Sequence, residues 1–311
     1  MAMMTKRERV LAALNGNEFD RPPITFWHHF RPHGSARALA EATLDFFGRF
    51  DLDIFKVMPD LPYPVPHNSI TSADQWHLLT PLALDAGNFG RQVETVRRVR
   101  AAVGPDVPVI STLFSPLTEA VSFAGIEHVR THIQTDPATL HGALALIADN
   151  LARLGRALLD AGADGIFLSV QGTGDGLFTP SQFAEFGRPY DMMLLSAWRE
   201  GWLNVLHAHA EHDLLFDELL QYPVAVWSWS DRYTGVSLRH MRSLLPYMTL
   251  MGGLHERGAI TTGPVEAIAT EIHDALEQVD HARLILAPGC SVPDDCPEEW
   301  LRATRAAVDP D

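Results

Sequence analysis

Residues 202–210 read WLNVLHAHA, an apolar run of strand length that ends in two histidines. The run is continuous rather than alternating, which is typical of a strand covered on both faces in a parallel sheet. Similar runs recur along the chain and are separated by segments with helical periodicity. Together they predict eight strands: ITFWHHF (24–30), DIFKVMP (53–59), VPVISTLF (107–114), DGIFLSV (164–170), WLNVLHAHA (202–210), VAVWSWS (224–230), MTLMGGLH (248–255) and ARLILAPG (282–289).

Eight strands alternating with helices predict an α/β protein, a (β/α)8 TIM barrel in which residues 1–311 form a single domain. The alternative is a doubly wound open sheet. No GxGxxG follows an early strand and no GxxxxGK[ST] occurs in the sequence, which disfavours that alternative. A capping-box pattern at Thr5 and Glu8 predicts an opening helix, and Thr179-Pro180 predicts another helix start.

The composition of the chain disfavours several classes of binding protein and indicates the compartment. The formal net charge is −15, which disfavours a nucleic-acid binder or a polybasic membrane binder. The two cysteines, Cys290 and Cys296, lie in one loop and favour a reducing compartment. The start MAMMTKRERV lacks the apolar core of a signal peptide, and no run reaches the roughly 18 apolar residues of a membrane span. We therefore expect a cytoplasmic protein with a small-molecule substrate.

A zinc site is predicted where strands end. His207 and His209 are two residues apart, so their side chains share one face of a strand. Cys290 follows the last predicted strand, and the carboxyl ends of parallel barrel strands meet at one mouth, where imidazole and thiolate suit Zn²⁺. The alternative is a pair of hydrogen-bonded core histidines with a structural cysteine.

Further candidates follow other strands. Asp60 and His29 are predicted to be catalytic. His28 and His29 are adjacent, so only one of them can point inward. His255, after two glycines, is interpreted as a fourth ligand or a general base, or else as a plain surface histidine.

The predicted substrate contacts also lie near strand ends. Arg31 and Arg188 would balance an anionic substrate. Trp27 and Trp227 suit a flat ligand, with core packing as the alternative. The Pro-rich segment 60–88 is interpreted as an active-site loop.

The chain resembles the uroporphyrinogen decarboxylase superfamily almost from end to end. The similarity lies in TKRERVLAALNGNEFDRPPITFWHHF (5–30), GDGLFTPSQFAEFGRPY (174–190), MGGLHERGAI (251–260) and LILAPGCSVPDDCPEEWL (284–301). The resemblance implies a (β/α)8 barrel. Within the superfamily, the decarboxylases have a strand-2 aspartate similar to Asp60 and a strand-4 serine that falls near Thr173, which the resemblance assigns to substrate binding. Their strand-8 histidine is replaced here by Cys290, and only Arg31 remains near their arginine motif.

The other branch comprises zinc-dependent methyltransferases that move a methyl group from a corrinoid to a thiol such as coenzyme M. Their signature is His-x-Cys on strand 5 and the cysteine of APGC on strand 8. This chain keeps His207 and Cys290, while His209 occupies the place of the first cysteine.

The resemblance therefore implies a zinc-dependent methyl or alkyl transferase that activates a thiol or a similar heteroatom. The methyl donor would be a corrinoid, arriving free or on a separate protein, since no DxHxxG-like signature occurs here, and the 60–88 loop with Trp76 would close over it. The alternatives are a metal-free decarboxylase acting on a carboxylated substrate and an inactive barrel that binds a corrinoid or tetrapyrrole. Glycoside hydrolysis through paired aspartates is a more distant alternative.

Overall fold

Seven parallel strands form one sheet in which each strand pairs with its neighbours in sequence order. The computed structural model describes residues 3–30, 34–65 and 70–309. The strands are β1 (Phe55–Val57), β2 (Val109–Phe114), β3 (Gly165–Val170), β4 (Val205–Ala208), β5 (Val226–Trp229), β6 (Thr249–Leu254) and β7 (Leu284–Pro288).

Helices and loops connect consecutive strands, as parallel pairing requires. The α-helices are α1 (Lys6–Asn15), α2 (Ala36–Arg49), α3 (Gly87–Val103), α4 (Pro116–Ala124), α5 (Ile126–Thr135), α6 (Pro137–Asp160), α7 (Pro180–Phe186), α8 (Arg188–Ala197), α9 (Leu238–Leu244), α10 (Ala259–Thr262), α11 (Val265–Glu277) and α12 (Glu298–Ala306). Short 3-10 helices cover Ala73–Leu78 and Phe216–Glu218. Across the described ranges, none of the helices is both long and apolar enough to span a bilayer.

Two predicted helix starts are confirmed by their capping contacts. The Thr5 side chain accepts a hydrogen bond from the backbone of Glu8, whose carboxylate accepts one from the Thr5 backbone. Thr179 and Gln182 form the same reciprocal pair at the start of α7, with Pro180 in the first turn. These caps supply partners for backbone N–H groups that a helix start otherwise leaves unpaired.

The prediction of a strand over 24–30 is wrong. Only Ile24 forms a bridge there, parallel to Leu286 of β7. At the start of this segment, Pro22 and Pro23 have no backbone N–H to donate. At its end, the Phe30 N–H donates to the Asp60 carboxylate rather than to a strand. The structure is thus an α/β fold with a curled, seven-stranded parallel sheet, consistent with a TIM-barrel-like fold.

Segment 23–25 nevertheless links the two edge strands. The Thr25 N–H donates to Leu286 O at 3.0 Å, and the Leu286 N–H donates to Pro23 O at 2.8 Å. On the other side, the Asp53 N–H donates to Ile24 O at 2.9 Å, just before β1. A three-residue extended segment therefore occupies the position between β7 and β1.

A buried ion cluster holds this junction. The Asp53 carboxylate, which is fully buried, accepts hydrogen bonds from Arg9 Nη1 and Arg21 Nη1, each at 2.6 Å, and from the Ile24 N–H at 2.9 Å. Arg9 belongs to α1, so the cluster joins the first helix, segment 23–25 and the start of β1. Its two guanidinium groups compensate a carboxylate that would be costly to bury alone.

The 60–88 segment is packed against the helical layer where it is described; residues 66–69 lie outside the described ranges. Trp76 is buried, and its Nε1 donates to His132 Nδ1 on α5 at 3.0 Å. Trp76 therefore anchors the loop rather than facing solvent.

One lysine is buried within the space that the curled sheet encloses. Lys56, at the centre of β1, is buried, and its ammonium group lies 4.6 Å from the Trp27 ring centroid and 4.2 Å from that of Phe167. Its Nζ donates to Met58 Sδ at 3.3 Å. Burial lowers the pKa of Lys56 to about 7, against the opposing influence of the negative charges of Cys290 and Asp60.

Replacement of Lys56 by methionine should change how stability depends on pH. The folded-state pKa of about 7 lies below the unfolded value, so between pH 7 and 10 the unfolded chain binds more protons and the free energy of unfolding rises with pH. Denaturant titrations of metal-free protein at pH 7 and pH 10 measure this rise. Between the two pH values, the free energy of unfolding should increase by about 3 kcal/mol more in the wild type than in Lys56→Met. Lys6→Met, which removes the only other lysine, is the control. Equal pH dependence in wild type and Lys56→Met would contradict the assignment.

Candidate metal centre

Two imidazoles and one thiol converge at the carboxyl ends of β4 and β7. His207 lies within β4, His209 follows that strand, and Cys290 follows β7. One ligand atom from each lies within 4.8 Å of the other two, and Cys290 Sγ lies 3.7 Å from His209 Nδ1. The three residues that the sequence suggested as metal ligands are therefore close neighbours.

Strand register orients the first imidazole. His207 pairs with Ser228 across β4 and β5, and its Nδ1 lies 3.2 Å from Ser228 Oγ. This hydrogen bond holds the ring and leaves Nε2 as the nitrogen available to the cluster. Metal-binding histidines commonly use their second nitrogen for such an orienting contact.

A glycine lets the thiol reach the cluster. A Cβ at position 289 would lie 2.5 Å from Ser230 Cα, so a larger residue could not pack there without displacing backbone. The Gly289 N–H also donates to Leu254 O at 3.1 Å, which ties the end of β7 to β6. Gly289 therefore packs closely against Ser230, just after β5, and the next residue, Cys290, lies beside the two histidines.

The imidazoles favour the thiolate form of Cys290. Burial raises the pKa of this thiol, but hydrogen bonding and charge from His207 and His209 together outweigh burial and lower it to about 4. The same contact raises the pKa of His209, while burial lowers the pKa of His207. Thiolate is the form of cysteine that binds metals, so this shift favours Cys290 as a ligand, whereas His209 would have to lose its proton to bind the same ion.

The donor set fits zinc. Tetrahedral zinc with Zn–S near 2.3 Å and Zn–N near 2.0–2.1 Å requires S···N separations of about 3.5 Å, close to the 3.7 Å between Cys290 and His209. Three protein ligands leave one position open, as in catalytic rather than structural zinc sites.

The predicted catalytic residues Asp60 and His29 contact each other. His29 Nδ1 lies 2.7 Å from Asp60 Oδ1, and the Phe30 N–H donates to Asp60 Oδ2 at 2.8 Å. The Asp60 side chain is nearly buried, whereas that of His29 is half exposed. The ring of His28 lies 4.6 Å from that of Phe46.

His255 is not part of the three-residue cluster. Its ring lies 4.4 Å from that of Tyr233, and its Nδ1 accepts a hydrogen bond from the Arg257 N–H. A role for His255 as a fourth ligand therefore has no support in this geometry, and its catalytic role remains a prediction.

The next residue, Glu256, is one that sequence reasoning missed. Its carboxyl group is buried, Ser230 Oγ donates to its Oε1 at 3.3 Å, and its Oε2 has no partner in the described part of the chain. Burial raises its pKa to about 7, and the negative charge of Cys290 adds to this effect. No pattern in the sequence separates Glu256 from other polar residues after strand ends.

Lys56 was also missed, although its signal was present. It is one of only two lysines in the chain and stands inside the apolar run DIFKVMP. A lone cation in a run predicted to be buried is itself an unusual feature.

The residues predicted to contact the substrate lie in different environments. Trp27 is buried against Phe167 and Lys56, inside the sheet. Thr173 is buried, and its hydroxyl has no hydrogen-bond partner within 3–30, 34–65 and 70–309. Arg188 pairs with Glu218 at 3.0 Å, and Arg31 lies outside the described residues.

Trp227 is adjacent to Ser228 on β5, so it faces the side of the sheet opposite the metal cluster. It is fully buried there. Its position supports packing between sheet and helices rather than substrate contact.

Comparison with known proteins places these features in a family. Methylcobamide:CoM methyltransferase MtaA of Methanosarcina barkeri strain Fusaro is 25% identical over 218 residues, which cover 70% of this chain and 62% of that protein. The chain thus spans less than two thirds of that relative's length. The relative's name agrees with the methyltransferase branch suggested by His207 and Cys290.

Solved structures show the same fold. A methyltransferase from Methanosarcina mazei superposes with a TM-score of 0.79 at 20% identity and covers 98% of each chain. A B12-independent methionine synthase from Shewanella superposes with a TM-score of 0.51 at 14% identity, over 70% of this chain and 64% of that one. At these identities the likeness establishes fold only.

The family follows from a match that runs from the second residue of β1 past the end of α12. Residues 56–310, well over half of the 311, match the family model described as Uroporphyrinogen decarboxylase (URO-D). The matched region contains Asp60 and Glu256. It also contains all three proposed metal ligands, His207, His209 and Cys290. This chain belongs to the uroporphyrinogen decarboxylase (URO-D) family.

Proposed function

We propose that this chain is a zinc-dependent methyl or alkyl transferase in which His207, His209 and Cys290 hold the metal. The observation that carries the proposal is the convergence of two imidazoles and a low-pKa thiol within 4.8 Å at the end of the sheet. Relatives named methyltransferases support it. A zinc ion held there supplies Lewis acidity that lowers the pKa of a substrate thiol or a similar heteroatom.

The residues around the cluster have complementary tasks. Ser228 fixes the His207 ring, and the buried Glu256 offers an unpaired oxygen that can accept the proton a substrate thiol releases. Lys56 lies inside the sheet close enough for its charge to interact with that of Cys290. These residues orient a ligand, take up a proton and balance negative charge.

The methyl donor we propose is a corrinoid, either free or on a separate protein. The name of the Methanosarcina barkeri relative supports a methylated cobamide in this role. No cobalamin-binding DxHxxG-like signature occurs in these 311 residues, so the donor would not be held in a cofactor domain of this chain.

We also propose that the sheet corresponds to a closed (β/α)8 barrel of one domain, with segment 23–25 in place of the missing strand. The cytoplasm is the proposed compartment, since both cysteines are free and a reducing compartment keeps thiols in that form.

A second candidate function, a metal-free decarboxylase, is favoured by the contact between His29 and Asp60. Asp60 would stabilise a cationic intermediate, His29 would transfer the proton, and Arg31 would hold a substrate carboxylate. The family contains decarboxylases by name.

Metal analysis tests the proposed centre directly. We expect protein purified without chelator to contain about one equivalent of zinc and Cys290→Ala to raise the zinc Kd at least about 100-fold. Ser228→Ala, which frees the His207 ring, should raise the Kd about tenfold. Cys296→Ala, which removes the only other cysteine, is the matched control and should bind zinc as the wild type does. Less than about a tenth of an equivalent of zinc after soaking would contradict the proposal.

A pair of variants separates the two functions. With methylcobalamin as donor and 2-mercaptoethanol as acceptor, we expect Cys290→Ala to abolish methyl transfer because it removes the anionic ligand. Asp60→Asn should retain at least about a tenth of the wild-type rate, since its carboxylate contacts His29 and the Phe30 backbone rather than the cluster. No methyl transfer by the wild type, together with release of CO2 from a carboxylated substrate that is lost in Asp60→Asn and retained in Cys290→Ala, would instead identify the decarboxylase.

A further inference from the structure

A cavity of about 540 Å³ lies beside Asp60, between the carboxyl ends of β1–β3 and helices α3, α4 and α6. Its volume is within the usual range for a small-molecule site. None of the three proposed metal ligands lines the cavity, so it is distinct from the metal centre. Five aromatic side chains contribute to its wall: Tyr63, Phe89, Phe114, Phe123 and Phe178.

One residue of the cavity wall, Glu119 of α4, has a carboxyl group with few hydrogen bonds. The residue is only 8% exposed. Ser122 Oγ lies 3.4 Å from Glu119 Oε2, a weak contact, and donates at 2.8 Å to the Glu119 backbone O instead. The other oxygen, Oε1, has no hydrogen-bond partner within the described part of the chain, and it is not closed off by packing, unlike the unpaired Gln92 Oε1. A buried carboxyl group with an accessible, unpaired oxygen indicates a place for a hydrogen-bond donor.

The charge of the cavity wall is negative and has no counter-ion. The second acid, Asp60, already uses both oxygens, in contacts with His29 Nδ1 and the Phe30 N–H. Among the described residues, no Lys, Arg or His side chain lines the cavity. Burial raises the pKa of Glu119 to about 7, and only the contact with Ser122 opposes this shift. A cationic group in the cavity would therefore be stabilised, whereas an anion would meet two acids.

The aromatic side chains favour the same type of ligand. The Tyr63 ring centroid lies 5.3 Å from that of Phe89 and 5.1 Å from that of Phe123, so the three rings form one group. Burial raises the pKa of Tyr63, and the charge of Glu119 adds to this effect, which places the carboxyl group near these rings. The faces of aromatic rings attract cations, because they carry negative potential.

We propose that this cavity binds an organic ammonium ion, a molecule with an apolar body and one protonated amine, and that Glu119 is its counter-ion. The ammonium N–H groups can donate to Glu119 Oε1, and such charge-assisted hydrogen bonds are stronger than neutral ones. The aromatic wall surrounds the apolar body. Binding in the cavity stands independently of the proposed transfer reaction.

Three probes of nearly equal size test the charge of the ligand. We expect 2-phenylethylamine, a cation at pH 8, to bind the full chain saturably with one molecule per chain, measured by isothermal titration calorimetry. The uncharged 2-phenylethanol should bind at least about tenfold more weakly, and the anionic phenylacetate more weakly still, because neither supplies a positive charge to Glu119. No binding of the amine, or binding no tighter than that of the alcohol, would overturn the proposal.

Glu119→Gln tests the counter-ion. The change keeps the shape of the side chain and removes its charge, so 2-phenylethylamine should bind about as weakly as 2-phenylethanol, at least about tenfold below wild type. Unchanged binding of the alcohol would show that the cavity of the variant is intact. Glu127→Gln, the same replacement at an exposed position of α5, is the matched control and should bind the amine as the wild type does. Wild-type affinity for the amine in Glu119→Gln would overturn the role of Glu119.

The pH dependence of binding gives a further readout. An alkylammonium group, with a pKa of about 10, stays protonated between pH 6 and pH 8, whereas Glu119 ionises in this range. At pH 6 the carboxyl group must first release its proton, so the wild type should bind 2-phenylethylamine about tenfold more weakly than at pH 8.

Glu119→Gln should remove this pH dependence, and an affinity of the wild type that is the same at both pH values would contradict the ionised carboxylate as the partner. Zinc content, measured in parallel, should be the same in Glu119→Gln and in the wild type. This measurement separates failure of the cavity proposal from failure of the metal centre.

Discussion

The Asp53 carboxylate is the interaction on which the arrangement of this molecule depends. It is fully buried and joins Arg9 of α1, Arg21 and the Ile24 N–H. Because segment 23–25 bonds to β7 on one side and to the residues before β1 on the other, this cluster brings the two edges of the sheet together. Residues that follow β1 and β7 then share one end of the sheet. Without that junction, Asp60 and Cys290 would belong to opposite edges of an open sheet.

Three chemically different sites lie at this end of the sheet. The metal cluster combines two imidazoles with a thiolate, the Asp60–His29 contact offers a carboxylate beside a half-exposed imidazole, and the cavity next to Asp60 is apolar. Lys56 lies inside the sheet and interacts with the charges of both Cys290 and Asp60. When Lys56 is protonated, its charge lowers the cost of a negative charge on Cys290 or Asp60 in a weakly solvated interior.

Sequence reasoning succeeded where the information is local. Seven of the eight predicted strands contain an observed strand. The helix start at Thr5 was identified from Glu8 three positions on, and the one at Thr179 from the proline that follows it. It failed at 24–30, where an apolar run with the composition of a strand forms a single bridge. Composition could not reveal that a side chain, the Asp60 carboxylate, takes the Phe30 N–H. At the end of β6, sequence reasoning selected His255 and missed Glu256. The identity of a residue does not show in which direction a turn orients its side chain.

The sequence alone determined the class of fold, the family resemblance and the three residues, His207, His209 and Cys290, that the structure brings together. Each of these depends on periodicity within a strand or helix, or on short motifs such as HAH and APGC, which are properties of neighbouring residues. Only the tertiary structure decided that Ser228 orients His207, that Gly289 packs against Ser230 just after β5, and that Lys56 lies against two aromatic rings. Those contacts join residues that are 20 or more positions apart, so they depend on strand register and on the close packing of the interior, which no local pattern encodes.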